Sequence, residues 1–575
     1  MFTVEKILTT YYPELSNRPL LTPPLRGVLR RLLRESRFIR FAEQYPDLEG
    51  MDFVEQVLEY FQCSYSVSDR DRENIPVTGR VVIVANHPIG SLDGLALLKM
   101  IHETRPDVRI VANDLLESIQ PLRPCLLAVK VMNGMTMKRR IAAIDRALAD
   151  EEAVIFFPSG EVSRAGLQGI RDRRWQKGFL RLASRAKAPI LPVHIHARNS
   201  FPFYATSAVF KPLSTLMLVG EMFRHRRAPI RMTVGGLIPF SAYHGLPLRE
   251  KDKIALFRKH LYRIGARKKG VFPTETAIAR PERRVELKKD IHNGERLGQT
   301  PDGKEIYLFD GKSCPTVLRE IARLREITFR AVDEGSGNRR DLDRFDRYYR
   351  HLVLWSPEDL EIVGAYRLAD AAQVVRNHGC KGLYTHSLFR FDEEDFPYLH
   401  QGLELGRSFV QRRYWGKRSL EYLWYGLGSF LRKNPQYRHL FGPVSISRSM
   451  PQTAKELLIF FYGLYFAGPE HPRFGSRNPF RFSQPAAELA TIFTGADYRR
   501  DLVRLKFMLG ELGTSIPTLY KQYTELCLPG GAFFLGFNID HDFNDCVDGL
   551  VVVDTHRLKP EKRKRYIEEP VLLEH

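Results

Sequence analysis

The sequence predicts two domains of different fold, an α/β domain with a mixed, largely parallel sheet followed by an α+β domain. A chain of 575 residues is too long for one hydrophobic core, since about 150 residues per domain is typical. Its 43% hydrophobic and 27% charged residues give it the composition of a globular protein. Apolar periodicity fades near residues 279–312, which predicts a linker at 281–312.

Residues 1–75 are predicted to form a helical lead-in with a basic amphipathic helix. Between Leu25 and Phe41 apolar residues recur at helical spacing, and Glu35 is the one acid among the arginines Arg26, Arg30, Arg31, Arg34, Arg37 and Arg40. Such a helix is typical of a membrane-surface element. The alternative is that its apolar stripe packs on its own domain. We expect no membrane span and no secretory signal.

The domain at 76–280 has short apolar runs that alternate with longer helical patterns, as in a largely parallel sheet. Its strands are predicted at Val81–Ala85, Val108–Ala112, Ala153–Phe157, Pro189–His194 and Ile230–Val234. The domain at 313–575 begins with a helix near Val317–Ala331. Its strands are predicted at His351–Trp355, Glu361–Leu368, His439–Ile446 and Gly549–Val553, with a strand-to-helix unit over Leu403–Leu431.

The first candidate site follows the strand Val81–Ala85, where His87 and Asp93 precede a helix. Open α/β sheets place their sites at the carboxyl ends of strands. Histidine supplies a base of near-neutral pKa, and a carboxylate fixes its tautomer and stabilises the imidazolium. This pair suits the attack of a hydroxyl on a thioester, although a lone loop histidine is more often a surface or capping residue.

Two further blocks follow later strands, one at Phe157-Pro158-Ser159-Gly160-Glu161 and one at Pro189–Ile195. In this order the three blocks resemble the lysophospholipid and glycerol-phosphate acyltransferase family. The resemblance implies that His87 is the general base and Asp93 its orienting group. It also implies that the acceptor or the oxyanion is bound by Gly160 and neighbouring amides, with help from Glu161, Ser163 and Arg164.

The resemblance has two departures. Five residues separate His87 from Asp93 where the family has four, and Gly90 could absorb the extra residue before the helix. Ser159 stands where the family has glutamate. These changes argue against a phosphate-bearing acceptor. They resemble the branch of the family that acts on lyso-ornithine lipids, which implies that the acceptor is the hydroxyl of an N-linked 3-hydroxyacyl chain.

The second candidate site consists of charged residues inside otherwise apolar elements of the C-terminal half, which is costly unless each is paired or used. They are Arg325, Asp343, Asp346, Arg367, Glu404 and Arg407. Their order resembles the acyl-homoserine lactone synthases, relatives of the GNAT N-acyltransferases. The resemblance implies that Glu404 or the Asp343/Asp346 pair receives an amino acid's ammonium group and that Arg407 or Arg367 binds its carboxylate. The alternative is an internal salt-bridge network.

The segment Arg412–Ser419 resembles the GNAT loop that holds the donor's phosphate at a helix N-terminus. The resemblance assigns donor binding to Arg413, Gly416 and Arg418. Because Arg418 replaces the family's last glycine, the single phosphate of an acyl carrier protein arm fits better than an acyl-CoA pyrophosphate. Near the chain's end, Asp540, Asp542 and Asp545 could bind a cationic side chain or could simply form turns.

The fusion of the two halves resembles the bifunctional ornithine lipid synthases. The resemblance implies that the C-terminal half acylates ornithine with a 3-hydroxyacyl chain from acyl carrier protein and that the N-terminal half O-acylates the lyso-ornithine lipid. No metal or redox cofactor is expected, since six scattered cysteines form no ligand pattern and the thioester supplies the driving force. The formal charge of +21 suits acyl carrier protein and the anionic inner-membrane surface, so we expect a cytoplasmic, peripheral protein.

Three alternatives stay open. The same chemistry could act on another amino acid such as glycine. The chain could be a lysophospholipid acyltransferase with a non-catalytic C-terminal half, or a membrane-tethered scaffold with inactive transferase folds. A nucleic-acid-binding protein would also explain the charge, but the sequence has no helix-turn-helix, zinc-finger or RNA-recognition signature.

Overall fold

The chain divides into two units, residues 1–277 and 278–575, in its computed structural model. The structure describes residues 34–111, 119–127, 137–166, 169–209, 211–224, 229–471 and 473–568, together with the isolated positions 27, 30 and 31. None of the helices within these ranges has the length and apolar character needed to cross a bilayer.

The elements of the first unit follow one another as strands and helices of moderate length. Its strands are β1 (Tyr65–Ser66), β2 (Val81–Ala85), β3 (Val108–Ile110), β4 (Ala153–Phe156), β5 (Arg164–Gly166), β6 (Gly169–Arg171), β7 (Ile190–His196) and β8 (Ile230–Val234). Its α-helices are α1 (Glu35–Gln44), α2 (Gly50–Tyr60), α3 (Asp69–Arg72), α4 (Ser91–His102), α5 (Met137–Ala149), α6 (Gly178–Arg185), α7 (Phe201–Val209), α8 (Lys211–Arg224), α9 (Phe240–His244) and α10 (Glu250–Gly265), with a 3-10 turn at Gln120–Cys125.

The main sheet of the first unit has the order β1-β8-β7-β2-β4-β3. All neighbouring strands are parallel except β7 and β8, which confirms the predicted mixed, largely parallel sheet. Strand β2 is buried along its whole length because helices cover both faces of the sheet. Val81 and Ile83 face the core that includes α2 and α4, whereas Val82 and Val84 face the core that includes α6 and α10.

The predicted helical lead-in belongs to the first unit, because its described part packs into the hydrophobic core of the first sheet. Phe41 and Val54 belong to the cluster under the sheet, and β1 pairs with β8. The guanidinium groups of Arg34 and Arg37 lie 4.6 and 5.0 Å from the ring centre of Phe223. From Arg34 onward, the helix therefore follows the alternative of packing on its own domain. Most of the stretch 25–33 lies outside the described residues.

The second unit alternates strands with helices on both sides of one sheet. Its strands are β9 (Glu295–Gln299), β10 (Glu305–Asp310), β11 (Arg350–Ser356), β12 (Glu361–Asp370), β13 (Phe389–Arg390), β14 (Gly402–Val410), β15 (His439–Ile446), β16 (Gly475–Ser476), β17 (Ala532–Asp540) and β18 (Cys546–Asp554). Its α-helices are α11 (Arg284–Ile291), α12 (Pro315–Arg330), α13 (Ala371–His378), α14 (Tyr384–Leu388), α15 (Ser419–Lys433), α16 (Gln452–Tyr465), α17 (Ala486–Ile492), α18 (Tyr498–Glu511), α19 (Thr518–Leu526) and α20 (Pro560–Arg563). Short 3-10 turns lie at Arg344–Arg347, Cys380–Gly382, Arg412–Tyr414, His541–Phe543 and Thr555–Arg557, and a π-turn at Lys564–Glu568.

The main sheet of the second unit has the order β17-β18-β15-β14-β12-β11-β10-β9 and confirms the α+β prediction. Its pairs are antiparallel apart from β14 and β15, which are parallel. The pairing of β14 with β15 covers Gly402–Glu404 opposite His439–Phe441 and then stops, so the two strands part from Leu405 onward. Helices α11 and α12 pack on one face and α15 on the other.

The predicted linker at 281–312 is wrong. This segment forms α11, β9 and β10, and β10 pairs with β11 over six residue pairs from Glu305 to Asp310. The charged residues of this segment concealed its strand pattern. They are tolerated because β9 is an edge strand, whose exposed positions place polar side chains in water. The second unit therefore begins near residue 278.

Asn86 joins β2 to β7 just before the first candidate site, and its loss should destabilise the first unit. Its side-chain amide accepts from the N–H of Ile195 at 2.7 Å and donates to the carbonyl of Ile195 at 2.9 Å. Asn86→Ala leaves two buried backbone groups unpaired, which costs about 3 kcal/mol. We expect calorimetry to show the first unit's transition lowered by roughly 5–10 °C.

The matched control is Asn74→Ala, since Asn74 makes one partly buried bond, at 3.0 Å, to the carbonyl of Val234. Its loss should cost about 1 kcal/mol. Equal shifts for the two variants would contradict the bridging role of Asn86.

Candidate active sites

His87 lies at the carboxyl edge of the first sheet, in the loop between β2 and α4. Strands β2 and β4 are parallel neighbours, so the loops that follow them meet at the same edge. The His87 ring centre lies 4.3 Å from that of Phe157, which follows β4. The segments that carry two of the sequence blocks therefore meet around this histidine.

Asp93 holds one nitrogen of the His87 ring. Nδ1 of His87 lies 2.8 Å from Oδ1 of Asp93, whose side chain is fully buried. The other carboxylate oxygen accepts from the N–H groups of Ile89 and Gly90, at 2.8 and 3.2 Å. Gly90 has φ +97°, a conformation that favours glycine, so the extra residue between His87 and Asp93 is accommodated there as predicted.

Asp172 is a second carboxylate at His87 that the sequence analysis missed. Its Oδ1 accepts from the N–H of His87 at 3.2 Å and from the Ser163 hydroxyl at 2.5 Å, while Oδ2 accepts from the Trp175 indole at 3.0 Å. Burial raises the pKa of Asp172, and these donors offset part of the rise. The one available signal was a single acid within the basic run Arg171–Arg174.

The electrostatic surroundings of His87 favour its protonated form. Burial acts to lower its pKa, but the carboxylates of Asp93 and Asp172 outweigh burial and raise the pKa above the ordinary histidine value. About a fifth of the side chain stays accessible, so a ligand can reach the ring. The arrangement provides a base with one nitrogen held by a carboxylate and the other available for proton transfer.

The other residues predicted at this site make hydrogen bonds within the protein. The amide of Gly160 donates to the carbonyl of Phe157 at 3.0 Å, and Ser163 holds Asp172. Arg164 donates to Ser207 at 2.5 Å, and burial lowers its pKa. The Glu161 carbonyl accepts from the Ser159 hydroxyl at 2.6 Å. Oxyanion binding would therefore need amides other than that of Gly160.

In the second unit, four of the predicted charged residues form one buried network. Arg325 donates to Asp346 at 2.8 Å, and Arg367 donates to both oxygens of Asp343 at 2.7 Å and to Asp346 at 3.2 Å. Despite its burial, the arginines lower the pKa of Asp346. Asp346 is enclosed by protein, whereas Asp343 keeps about a fifth of its side chain accessible. Of this pair, Asp343 is the one a ligand can reach.

Arg407 lies at a β-bulge in β14. Ala365 pairs with Phe409 and Arg367 with Gly406, so two residues of β14, Arg407 and Ser408, stand opposite one residue of β12. Arg407 has φ +50°, an uncommon conformation for a side-chain-bearing residue. Its guanidinium lies near the rings of Tyr384 and Phe543, at 4.9 and 4.5 Å. Its carboxylate neighbours Asp341 and Asp343 lie at 3.4 and 3.7 Å.

Glu404 is buried and its oxygens already have donors. It accepts from the Tyr349 hydroxyl, from the N–H of Thr385 at 2.6 Å and from the N–H of Tyr384 at 3.3 Å. Burial raises its pKa, and these bonds offset part of the rise. An ammonium group would have to displace one of these donors, so Glu404 is placed to orient α14 and Tyr349.

A cluster of carboxylates beside Arg407 was only partly visible in the sequence. Burial raises the pKa of Glu334 to about 7, and burial together with the nearby Asp540 and Glu334 raises the pKa of Asp548 well above its ordinary value. Asp540 accepts from the Tyr384 hydroxyl at 3.0 Å. It also caps the following turn, and turn formation is one of the two roles predicted for it. These acids come from distant parts of the chain, so no spacing pattern could reveal the cluster.

The predicted donor-binding segment lies at the N-terminus of α15. Gly416 has φ +74° with open space around it, and α15 begins at Ser419. The side chains of Arg413 and Arg418 form surface ion pairs, Arg413 with Asp359 and Glu361 and Arg418 with Glu421. These exposed pairs are weak, so both arginines can exchange partners for a phosphate.

Two family models match the chain. Residues 7–267 match the family described as "Acyltransferase", and residues 324–425 match the "Acetyltransferase (GNAT) domain". The matches agree with the two folds and with the two candidate sites, since His87 lies in the first range and Arg407 in the second.

Three curated proteins are similar to parts of the chain. "Glycine N(alpha)-acyltransferase" of Bacteroides thetaiotaomicron is 31% identical over 304 residues, 51% of this chain and 89% of that protein. "Lyso-glycine lipid O-acyltransferase" of the same organism is 29% identical over 250 residues, 42% of this chain and 90% of that protein. "L-ornithine N(alpha)-acyltransferase" of Brucella abortus is 32% identical over 151 residues, 23% of this chain and 50% of that protein.

Asp93→Asn should lower the pKa of His87 and change its tautomer. The asparagine oxygen can keep the bonds from Ile89 and Gly90, and its NH2 group then points at Nδ1. Nδ1 becomes an acceptor, the ring proton moves to Nε2, and the imidazolium loses a carboxylate that stabilised it. We expect NMR titration of labelled histidine to show both changes, with His87→Gln used to assign the signal.

Asp107→Asn is the matched control for this titration. Asp107 immediately precedes β3, and its carboxylate pairs with Arg105 at 2.6 Å. It therefore lies at the amino edge of the sheet, away from His87. An unchanged His87 titration in Asp93→Asn would refute the coupling.

Proposed function

The chain is an acyltransferase that belongs to the family of the Bacteroides glycine N(alpha)-acyltransferase, and from this premise we propose that it makes an amino-acid lipid by two acyl transfers. The second unit forms the amide between an acyl chain and an amino acid. The first unit then esterifies the hydroxyl of that chain. Two separate Bacteroides relatives carry names for these two steps, and each is covered by this chain to about nine tenths of its length.

The contact between His87 and Asp93 carries the proposal for O-acyl transfer. As the acceptor oxygen attacks the thioester carbonyl carbon, its proton passes to Nε2 of His87, the nitrogen that Asp93 does not hold. The carbon–sulfur bond then breaks, and the imidazolium returns a proton to the departing thiolate. Asp93 and Asp172 stabilise the imidazolium between these events.

Arg407 and Asp343 carry the proposal for N-acyl transfer. The ion-pair distances of Arg407, 3.4 and 3.7 Å, exceed normal hydrogen-bond lengths, so its guanidinium keeps donors for the amino acid's carboxylate. Asp343 is the accessible acid of the network and takes the α-ammonium group at Oδ2, because Oδ1 already accepts from the N–H groups of Phe345 and Asp346. The ammonium group gives one proton to water, and its nitrogen attacks the thioester carbonyl carbon. As the carbon–sulfur bond breaks, the nitrogen's second proton passes to the departing thiolate, which leaves as the thiol. Glu404 positions α14 beside the reacting groups.

We propose ornithine as the amino acid because of the carboxylates beside Arg407. Glu334, Asp540 and Asp548 are buried acids, and Arg407 acts on both Glu334 and Asp548, so a second ammonium group would stabilise their ionised forms. Glycine is the second candidate, and the Bacteroides relatives favour it because their matches are longer than that of the ornithine enzyme.

Acyl carrier protein and an anionic membrane surface are the proposed partners. The N-terminus of α15 suits the single phosphate of a carrier-protein arm, and the basic excess of 21 charges suits acidic surfaces. On this proposal no metal or redox cofactor takes part, and the chain works on the cytoplasmic face of the inner membrane.

His87→Ala and Glu404→Gln should block different steps. Expressed in a bacterium that lacks amino-acid lipids, the wild-type chain should give a diacylated product by mass spectrometry. His87→Ala removes the base, slows O-transfer by about 10²- to 10⁴-fold and leaves the monoacylated lipid to accumulate. Glu404→Gln disturbs the amine site and gives neither lipid.

His102→Ala is the matched control, since His102 lies in the last turn of α4 beyond the site. It should give wild-type lipid. Full diacylation by His87→Ala would remove the first unit from the proposal, while a complete absence of lipid from wild type in the presence of active donors would refute the proposed function.

Asp548→Asn should reduce the use of ornithine relative to glycine. A buried charge-assisted bond to the side-chain ammonium is lost, so kcat/KM for ornithine should fall by about 10- to 100-fold while that for glycine stays nearly constant. The purified chain is assayed with each amino acid and a 3-hydroxyacyl carrier protein.

Asp542→Asn is the matched control, because Asp542 is exposed in the turn just before Asp548. It should leave both rates unchanged. A wild-type chain that uses glycine and ignores ornithine, with Asp548→Asn unchanged, would favour the glycine candidate.

A further inference from the structure

Tyr366 lies at the β-bulge, on the face of the sheet away from Arg367. Neighbouring residues of a strand point to opposite faces, so Arg367 joins the charged network while Tyr366 enters the apolar core under α15. Opposite Tyr366 on β14 stand Arg407 and Ser408. The bulge therefore lies between the charged network and this apolar core.

Polar groups converge in this core without completing hydrogen bonds. The Tyr366 hydroxyl and the Trp424 indole N–H are buried, and neither forms a hydrogen bond of normal geometry with any described residue, although both lie close to other polar groups. The side chains of Ser408, Trp424 and Tyr523 lie close enough to the Tyr366 hydroxyl to offset part of the rise that burial causes in its pKa. The rings of Trp424 and Tyr523 are 5.5 Å apart.

Leaving such groups unpaired is costly, by about 1–3 kcal/mol for each buried donor or acceptor. An apolar core can avoid this cost by using phenylalanine and leucine at these positions. A pair of unbonded donors beside two further hydroxyls instead provides a place for one small polar group within an apolar surrounding.

The polar cluster lies beside the place where β14 and β15 part. Ser408 belongs to the portion of β14 that has left β15. Helix α19 crosses this region, since its Tyr520 donates to the carbonyl of Val444 on β15 at 3.1 Å and its Tyr523 lies beside Tyr366 on β12. An acyl chain that entered between the parted strands on this face would lie beside the cluster, because Ser408 lies beyond Glu404, where the pairing of β14 with β15 ends.

We propose that Tyr366, Ser408, Trp424 and Tyr523 form a subsite that binds the 3-hydroxyl group of the acyl donor. The inference rests on the proposed N-acyl transfer and specifies how that site selects its donor. The amino acid is held on the Arg407 face, the thioester carbon lies at the parting strands, and the hydroxyl-bearing carbon is two bonds farther along the chain. An unsubstituted chain would leave the two buried donors unpaired, so the subsite discriminates against it.

The test compares two donors on the full-length chain. Rates of amide formation are measured with 3-hydroxypalmitoyl and palmitoyl acyl carrier protein, with ornithine and with glycine as acceptors. Wild type should prefer the hydroxylated donor. Tyr366→Phe should lower kcat/KM for that donor by about tenfold and change the palmitoyl rate by less than about twofold. Ser408→Ala should cause the same selective loss at a less buried position.

Tyr462→Phe is the matched control, because Tyr462 is buried in the same apolar core and packs against Tyr520 and Phe534. It should leave the ratio of the two donor rates unchanged. Equal loss for both donors in Tyr366→Phe and Ser408→Ala, or no donor preference in wild type, would overturn the subsite and leave the N-acyl transfer intact. Wild type that transfers neither chain to either amino acid would overturn the proposed function itself.

Discussion

Compensation of buried charge is the constraint on which both candidate sites depend. A carboxylate enclosed by protein costs several kcal/mol unless opposite charge and hydrogen-bond donors replace its water. Asp93 meets this requirement with His87 and two amides of the loop that carries that histidine. The loop therefore cannot bury Asp93 without placing the imidazole. In the second unit, Asp346 and Arg367 hold β12 against the segment before β11 in the same way.

The two sites differ in how completely this compensation is achieved. At His87 the imidazole acts on both Asp93 and Asp172, and the Nε2 atom of the ring is left for chemistry, which suits a neutral acceptor hydroxyl. Around Arg407 the balance is incomplete, because burial raises the pKa of Glu334 and of Asp548 even though Arg407 acts to lower both. A site of this kind is stabilised by a ligand that brings positive charge. The difference matches an alcohol acceptor in one unit and an amino-acid acceptor in the other.

The sequence predicted the strands and the central residues of the sites, but not every contact. The strands Val81–Ala85 and His439–Ile446 were located to the residue because most of their side chains are buried, which leaves a strong apolar signal in the sequence. The edge strand β9 was missed because most of its side chains are at least partly exposed to water, and the charged residues around it also concealed the buried strand β10. Asp172 and Asp548 were missed because they reach His87 and Arg407, respectively, only through the tertiary fold, which leaves no local spacing pattern in the sequence.

The bulge in β14 brings residues of both faces of the second sheet to one position along the strand. Without an inserted residue, strict alternation would fix one side-chain direction for each position opposite β12. With it, Arg407 and Ser408 both stand opposite Tyr366, so a guanidinium reaches the charged network while a hydroxyl lies beside the polar cluster. The backbone of Arg407 has the uncommon φ of +50°, and contacts of its guanidinium with the Tyr384 ring and the Asp341 carboxylate hold it in place. Removing the bulge would therefore separate the proposed amine site from the proposed donor subsite, even if every side chain were kept.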